Sequence, residues 1–124
     1  MSEQKLTLKE MCDKFDVTPR TLRYYEYIEL LSPEKAGRTR YYGAREMGRL
    51  KLILRGRRFG FSLEEIRQWL EMYRGHSDNR PQMERWLEMA RDQIAELESR
   101  KSQIQEAIDE LKELRQATID QMEK

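Results

Sequence analysis

Between positions 18 and 24 stand Thr18, Arg20, Thr21, Arg23 and Tyr24, a set of donors whose chemistry is recognition rather than reaction. An arginine can grip a guanine edge or a phosphate with two hydrogen bonds, and threonine and tyrosine hydroxyls mostly reach phosphates or thymine methyls. A second group follows at Arg38, Arg40 and Tyr41, and a third at Arg57 and Arg58. From 38 to 58 the basic residues Arg38, Arg40, Arg45, Arg49, Lys51, Arg55, Arg57 and Arg58 face one acid, Glu46. That imbalance is the electrostatic footprint of a surface that meets phosphates; the plainer alternative is a solvated helix face paired with acids elsewhere. Residue types leave open which arginine reads a base and which holds a phosphate. Reaction chemistry has no comparable set, because a glycine-rich phosphate loop, a triad order and a metal pair are all missing, so an enzyme is not expected. His76 is the one histidine and has no Cys or His within ligand spacing, so neither a metal nor another cofactor is expected.

Positioning these donors calls for short, precisely capped elements. Thr7-Leu8-Lys9-Glu10 is a capping box that opens a first helix with Leu8, Met11, Cys12 and Phe15 on its apolar row. Asp16-Val17 break it, and Thr18-Pro19 start a second helix to about Glu26, with threonine as N-cap and proline where its missing N–H is not needed. Two short helices joined by a turn of about three residues make a helix-turn-helix, whose second helix enters the major groove. Leu22 and Tyr25 fall on its opposite side and are expected to pack inward. Arg38-Thr39-Arg40-Tyr41-Tyr42, flanked by Gly37 and Gly43, reads as a hairpin wing whose arginines straddle the neighbouring backbone, with Tyr42 a packing residue. A third amphipathic helix is expected from Ala44 to about Phe59 on Met47, Leu50, Ile53 and Leu54, stopped by Gly60. Ser62-Leu63-Glu64-Glu65 is a second capping box, opening a fourth helix with Leu63, Ile66, Trp69, Leu70 and Tyr73 inward. Arg57 and Arg58 precede that N-terminus, where amides and the helix dipole also favour an anion.

Charge divides the chain. Up to Gly75 there are 16 basic and 11 acidic residues, beyond it 8 and 12, which makes +5 and −4. The expected organisation is therefore a winged helix-turn-helix over residues 1–75, a linker over 76–82, and one long helix over 83–124. Apolar rows on that helix, Ala90, Leu97, Ile104 and Leu111 beside Leu87, Ile94, Ile108 and Met122, repeat every seven residues, as in a helix seeking a partner helix. They are interrupted over residues 98–103, which suits a short antiparallel pairing of two protomers, although the pattern alone leaves orientation open. The fold class is thus mainly α. With 38% charged and 38% hydrophobic residues, part of the 124-residue chain is expected to be extended or partner-dependent. The absence of an apolar N-terminal segment and a lone Cys12 point to a reducing, cytoplasmic setting; Cys12 is expected to pack in the core.

Taken in order, Val17-Thr18-Pro19-Arg20-Thr21-Leu22-Arg23-Tyr24-Tyr25-Glu26, Leu30-Leu31-Ser32-Pro33, Arg40-Tyr41-Tyr42 and Arg58-Phe59-Gly60-Phe61-Ser62-Leu63-Glu64-Glu65-Ile66 resemble the MerR family of bacterial regulators over roughly the first 73 residues. The resemblance implies a winged helix-turn-helix head and two heads joined by an antiparallel coiled coil. It also implies binding to a palindrome inside a promoter spacer, with bending and untwisting of the DNA that aligns the elements read by RNA polymerase. By position, Arg20, Arg23, Tyr24, Arg40 and Arg58 match where that family touches DNA. Glu29 departs from the family's usual glycine; a left-handed backbone there costs on the order of 1 kcal/mol. Cysteines of the metal- and redox-sensing members, around the start of the dimerisation helix and in a following loop, are absent, and no large effector domain is expected after the long helix. The run Arg49-Leu50-Lys51-Leu52-Ile53-Leu54-Arg55-Gly56 is similar to short members governing branched-chain amino acid and fatty-acid breakdown. An architectural or recombination-directionality protein with the same head, and a pure coiled-coil adaptor, are the competing expectations.

Overall fold

A computed structural model describes residues 4–74 and 80–124, with side chains at 4–72 and 80–124; the expected site or packing roles of Tyr73, Gly75 and His76 lie outside the described side chains. The chain forms two units, Met1–Asn79 and Arg80–Lys124.

In the first unit, strand β1 (Leu6–Thr7) runs into helix α1 (Leu8–Phe15). The Thr7 capping box is closed both ways: the Glu10 amide donates to Thr7 Oγ1 at 3.2 Å, and the Thr7 amide donates to Glu10 Oε1 at 2.9 Å. Asp16 ends the helix in the left-handed region at φ 55, a conformation that Asp tolerates better than most residues. Helix α2 (Pro19–Tyr27) begins after Thr18, with Pro19 at its first turn. Strands β2 (Glu34–Ala36) and β3 (Thr39–Tyr42) form the wing hairpin, turning through Gly37 at φ 65. The sheet has three antiparallel strands in the order β1-β3-β2, one more than the hairpin expected from the sequence. Helices α3 (Ala44–Phe59) and α4 (Leu63–Arg74) follow, with Gly60 left-handed at φ 88 between them.

Met11, Leu22, Leu30, Leu31, Tyr42, Leu50, Ile53, Ile66 and Leu70 form the fully buried centre, each aliphatic side chain worth roughly 1.5–3 kcal/mol of burial. Phe59, Phe61 and Trp69 close the α3/α4 corner as an aromatic triangle with ring centroids 6.1–6.3 Å apart. The buried face of α3 is not the clean apolar stripe expected, since it includes Glu46 and Gly56. Glu46 is tolerated because its Oε2 accepts from the Ser32 amide at 2.9 Å and its Oε1 from Arg45 at 2.7 Å. Gly56 is required by contact: a Cβ there would stand 2.8 Å from Ile66 Cγ1.

The second unit is helix α5 (Arg80–Met122), 43 residues, about 65 Å long at 1.5 Å per residue. It begins earlier than the sequence reading had it, so residues 80–82 of the expected linker are helical. Pro81 does not oppose this, because a proline in the first turn forfeits an N–H that has no intrahelical partner there.

Candidate nucleic-acid interface

The turn between α1 and α2 sets the first group of donors. Thr18 Oγ1 accepts from the Thr21 amide at 3.1 Å and lies 2.9 Å from Thr21 Oγ1, so these two hydroxyls, read as contacts, are also engaged in capping the helix. Burial of Leu22 and Tyr25 then turns Arg20, Arg23 and Tyr24 outward, all exposed. Spacing decides this: residues 22 and 25 are three apart, which places them on one face.

Arg20, Thr21, Tyr24 and Tyr25 of α2, Arg57 of α3 and Leu63 of α4 line an open cleft of about 390 Å³. Two guanidinium groups and hydroxyls line it, and none of its lining residues is acidic. Its α4 wall opens with the expected capping box, the Ser62 amide donating to Glu65 Oε1 at 2.8 Å and the Glu65 amide to Ser62 Oγ at 3.1 Å. Arg57 thus joins the recognition helix across 37 positions of sequence. Arg58 is exposed but is not part of the lining.

Elsewhere the basic cluster is divided between surface and scaffold. Arg38 sits exposed at the wing turn. Arg40, expected to straddle the DNA backbone, has Nε 2.7 Å from Glu26 Oε2 with its side chain 30% exposed; positions 40 and 42 share a strand face, and Tyr42 on it is fully buried. Tyr41, on the opposite face, is half-buried. Arg45 pairs with Glu46, and Arg49 Nε donates to the Leu30 carbonyl at 2.9 Å. Arg67 donates to the Ile28 carbonyl. These last two hold the end of α2, where Glu29 adopts φ 66, the left-handed backbone anticipated at the position of the usual glycine. The eight-to-one charge ratio therefore overstates the free basic surface.

Glu26 is the residue that sequence reading missed. Its carboxylate lies 3.1 Å from Lys35 Nζ and 2.7 Å from Arg40 Nε. Burial alone would raise its pKa, but hydrogen bonds and charge from Lys35 and Arg40 outweigh that and hold it below the ordinary carboxylate value. The available signal was an acid at the end of a helix otherwise carrying arginines. Burial pushes the Tyr42 hydroxyl up, with the Glu26 charge adding to it, and burial likewise raises the Cys12 thiol, which is half-buried.

On α5, Leu87, Ile94, Leu97, Ile104, Ile108 and Leu111 are exposed and Ala90 is half-buried. Among the described residues no group of three His, Cys, Asp or Glu could hold a metal ion, and no helix is long and apolar enough to cross a membrane.

A helix-turn-helix with a wing, basic along its second helix and continued by a long helix, defines a class of nucleic-acid-binding regulator. The family profile described as "MerR HTH family regulatory protein" matches residues 6–73, and "MerR, DNA binding" matches 47–114; the chain belongs to the MerR family. It is 38% identical over 69 residues to the "HTH-type transcriptional regulator HmrR" of Rhizobium leguminosarum bv. viciae, covering 55% of this chain and 54% of that protein. It is 35% identical over 100 residues to "Heavy metal-dependent transcription regulator 1" of Rhizobium meliloti, covering 79% and 66%. The chain thus spans about half to two-thirds of the length of these relatives. A MerR family transcriptional regulator from Bacillus cereus superposes with a TM-score of 0.75 at 27% identity, covering 89% of this chain and 79% of the other.

Proposed function

We propose that the chain is a sequence-specific DNA-binding transcriptional regulator that binds a promoter palindrome as a homodimer and distorts the DNA. The cleft carries this reading: Arg20 and Arg57 line one opening with no acid in its lining, Tyr24 stands on its wall and exposed Arg23 lies on the same helix. Phosphate held there fixes the helix against the backbone, and Arg23 and Tyr24 lie beside it on the same helix to meet base edges or flanking phosphates. Arg38 extends the grip from the wing, Thr18, Thr21, Tyr41 and Arg58 lie along its margins, and Arg40 acts through the wing's position. The second unit supports the dimer, since a helix presenting Leu97, Ile104 and Leu111 to solvent reaches its stable state by burying them against a second copy, antiparallel in this reading. RNA polymerase is then an indirect partner, reached through the altered promoter. The similarity of the run 49–56 to short family members governing branched-chain amino acid and fatty-acid breakdown supports a target among such genes.

A duplex selected from a random-sequence library by the wild-type chain provides the test. Arg23→Ala is expected to weaken binding to it by about 1–3 kcal/mol and to relax the preference at one position. Unchanged affinity and preference reject base reading by Arg23. Fragments selected from the source genome, recovered away from promoters, favour the architectural alternative.

A further inference from the structure

The wing carries a defect that one residue of the recognition helix repairs. Lys35 of β2 and Arg40 of β3 are direct cross-strand partners, and like charges placed opposite each other destabilise a strand pair. The Glu26 carboxylate, with its side chain only 16% exposed, reaches between them, one oxygen to each cation at 3.1 and 2.7 Å. Neither strand supplies that acid. It comes from the last turn of α2, three residues after Arg23 and therefore on a neighbouring row of the same helix. Tyr42, two residues further along β3, is fully buried, and β3 packs against α1 and α3, so the contact that ties the wing to α2 is the charge at Glu26.

We infer that Glu26 is a positioning residue for DNA recognition: by bridging Lys35 and Arg40 it sets the wing at a fixed distance from the recognition helix, so that Arg38 at the wing turn and Arg23 on the helix engage one duplex in register. This rests on the DNA-binding reading above. A carboxylate placed beside two cations on a phosphate-binding surface otherwise only weakens that surface, since it neutralises charge that releases counterions. The placement makes sense as geometry: a two-oxygen acid holds two donors at once, and β2, the outer strand of the sheet, is thereby tied to α2 through Lys35. Two hydrogen-bonded cations make the bridge directional as well as electrostatic.

Footprinting and salt titration on the selected duplex separate these roles. For Glu26→Gln, the expected result is binding weaker by about ten-fold, from the loss of charge-assisted bonds, with protection lost at the wing-side phosphates and retained under the recognition helix. The dependence of log affinity on log salt becomes shallower by about one phosphate contact. Tighter binding with a steeper salt dependence overturns the proposal, because it shows that Glu26 only neutralised two cations. Glu26→Asp keeps the charge but is one methylene shorter and cannot span both cations; it is expected to lose the same wing-side protection, and it carries the test should the glutamine variant not fold. Full wild-type protection in Glu26→Asp also overturns the proposal. Arg38→Ala distinguishes the two levels of failure. If it loses wing-side protection while both Glu26 variants keep it, the positioning role alone is wrong; if Arg38→Ala itself changes nothing, the wing does not touch DNA, and the proposal fails with that part of the reading.

Discussion

At the scale of single residues, two glycines of α3 have opposite roles. A Cβ at Gly48 would meet nothing within 4 Å, whereas one at Gly56 would press on Ile66 Cγ1 at 2.8 Å, Ile66 Cδ1 at 3.2 Å and Trp69 Cζ3 at 3.4 Å. Gly48→Ala is therefore expected to stabilise by up to about 1 kcal/mol through helix propensity, while at Gly56 the same gain is outweighed by overpacking of about 1–3 kcal/mol. Urea denaturation of the two variants measures both signs. Glu26 makes a pH prediction at the same scale. Its folded pKa is depressed from the ordinary 4.5, so its contribution to stability is present above that value and is lost as pH falls through the folded value. Wild type is expected to be more stable than Glu26→Gln at pH 6, by a margin that shrinks at an acidic pH below the ordinary carboxylate value as the carboxyl takes up its proton and comes to resemble the amide. Denaturation midpoints at the two pH values check the convergence. None of this was legible in the sequence, where Gly48 and Gly56 look alike and Glu26 is one acid among many.

At the scale of elements, local signals were strong wherever a cap or a breaker set a boundary. Thr7 with Glu10, Thr18 with Pro19, and Ser62 with Glu65 each start a helix where they stand, because a capping side chain binds amides only two or three residues away. The strand β1 gave no such signal: its two residues are made extended by pairing with Tyr41 and Tyr42, contacts 34 and 36 positions distant. The end of α2 lies between these cases. Glu29 is left-handed and is held in place by Arg49 and Arg67 through the Leu30 and Ile28 carbonyls. Glu29→Gly is expected to raise stability by about 1 kcal/mol, the cost of the left-handed backbone for a residue with a Cβ less part of the entropy that glycine adds to the unfolded chain. A chemical melt of that variant with no gain, or a loss, shows that the side chain contributes a compensating contact.

At the scale of the whole molecule, the proposal joins two recognition heads through the exposed apolar rows of α5. Changing Leu97 and Ile104 together to Glu is expected to give monomers that bind a selected palindrome poorly, since each places a charge in an apolar seam. Size-exclusion chromatography reads the first effect directly, and a dimer surviving both substitutions means that the interface lies elsewhere. Salt dependence belongs to this scale too. Because Arg40, Arg45 and Arg49 are engaged within the fold, fewer cations are available to release counterions than the charge count from Arg38 to Arg58 implies.

By itself the sequence determined the kind of protein: which helices form, where the capped ones start, that the second presents arginines and the last presents an apolar row. These follow from periodicity and capping, which act over a few residues and are written in neighbouring letters. Only the tertiary structure decided how the basic residues are used. It brought Arg57 to Arg20 across one cleft, paired Arg40 with Glu26, and assigned Arg49 and Arg67 to the end of the recognition helix. The physical reason is that a charged side chain is committed by whatever lies within hydrogen-bonding reach of it, and those partners stand 14, 19 and 39 positions away in the chain. The arginines of the opening residues thus divide into those that face outward for a phosphate and those that hold the others in place.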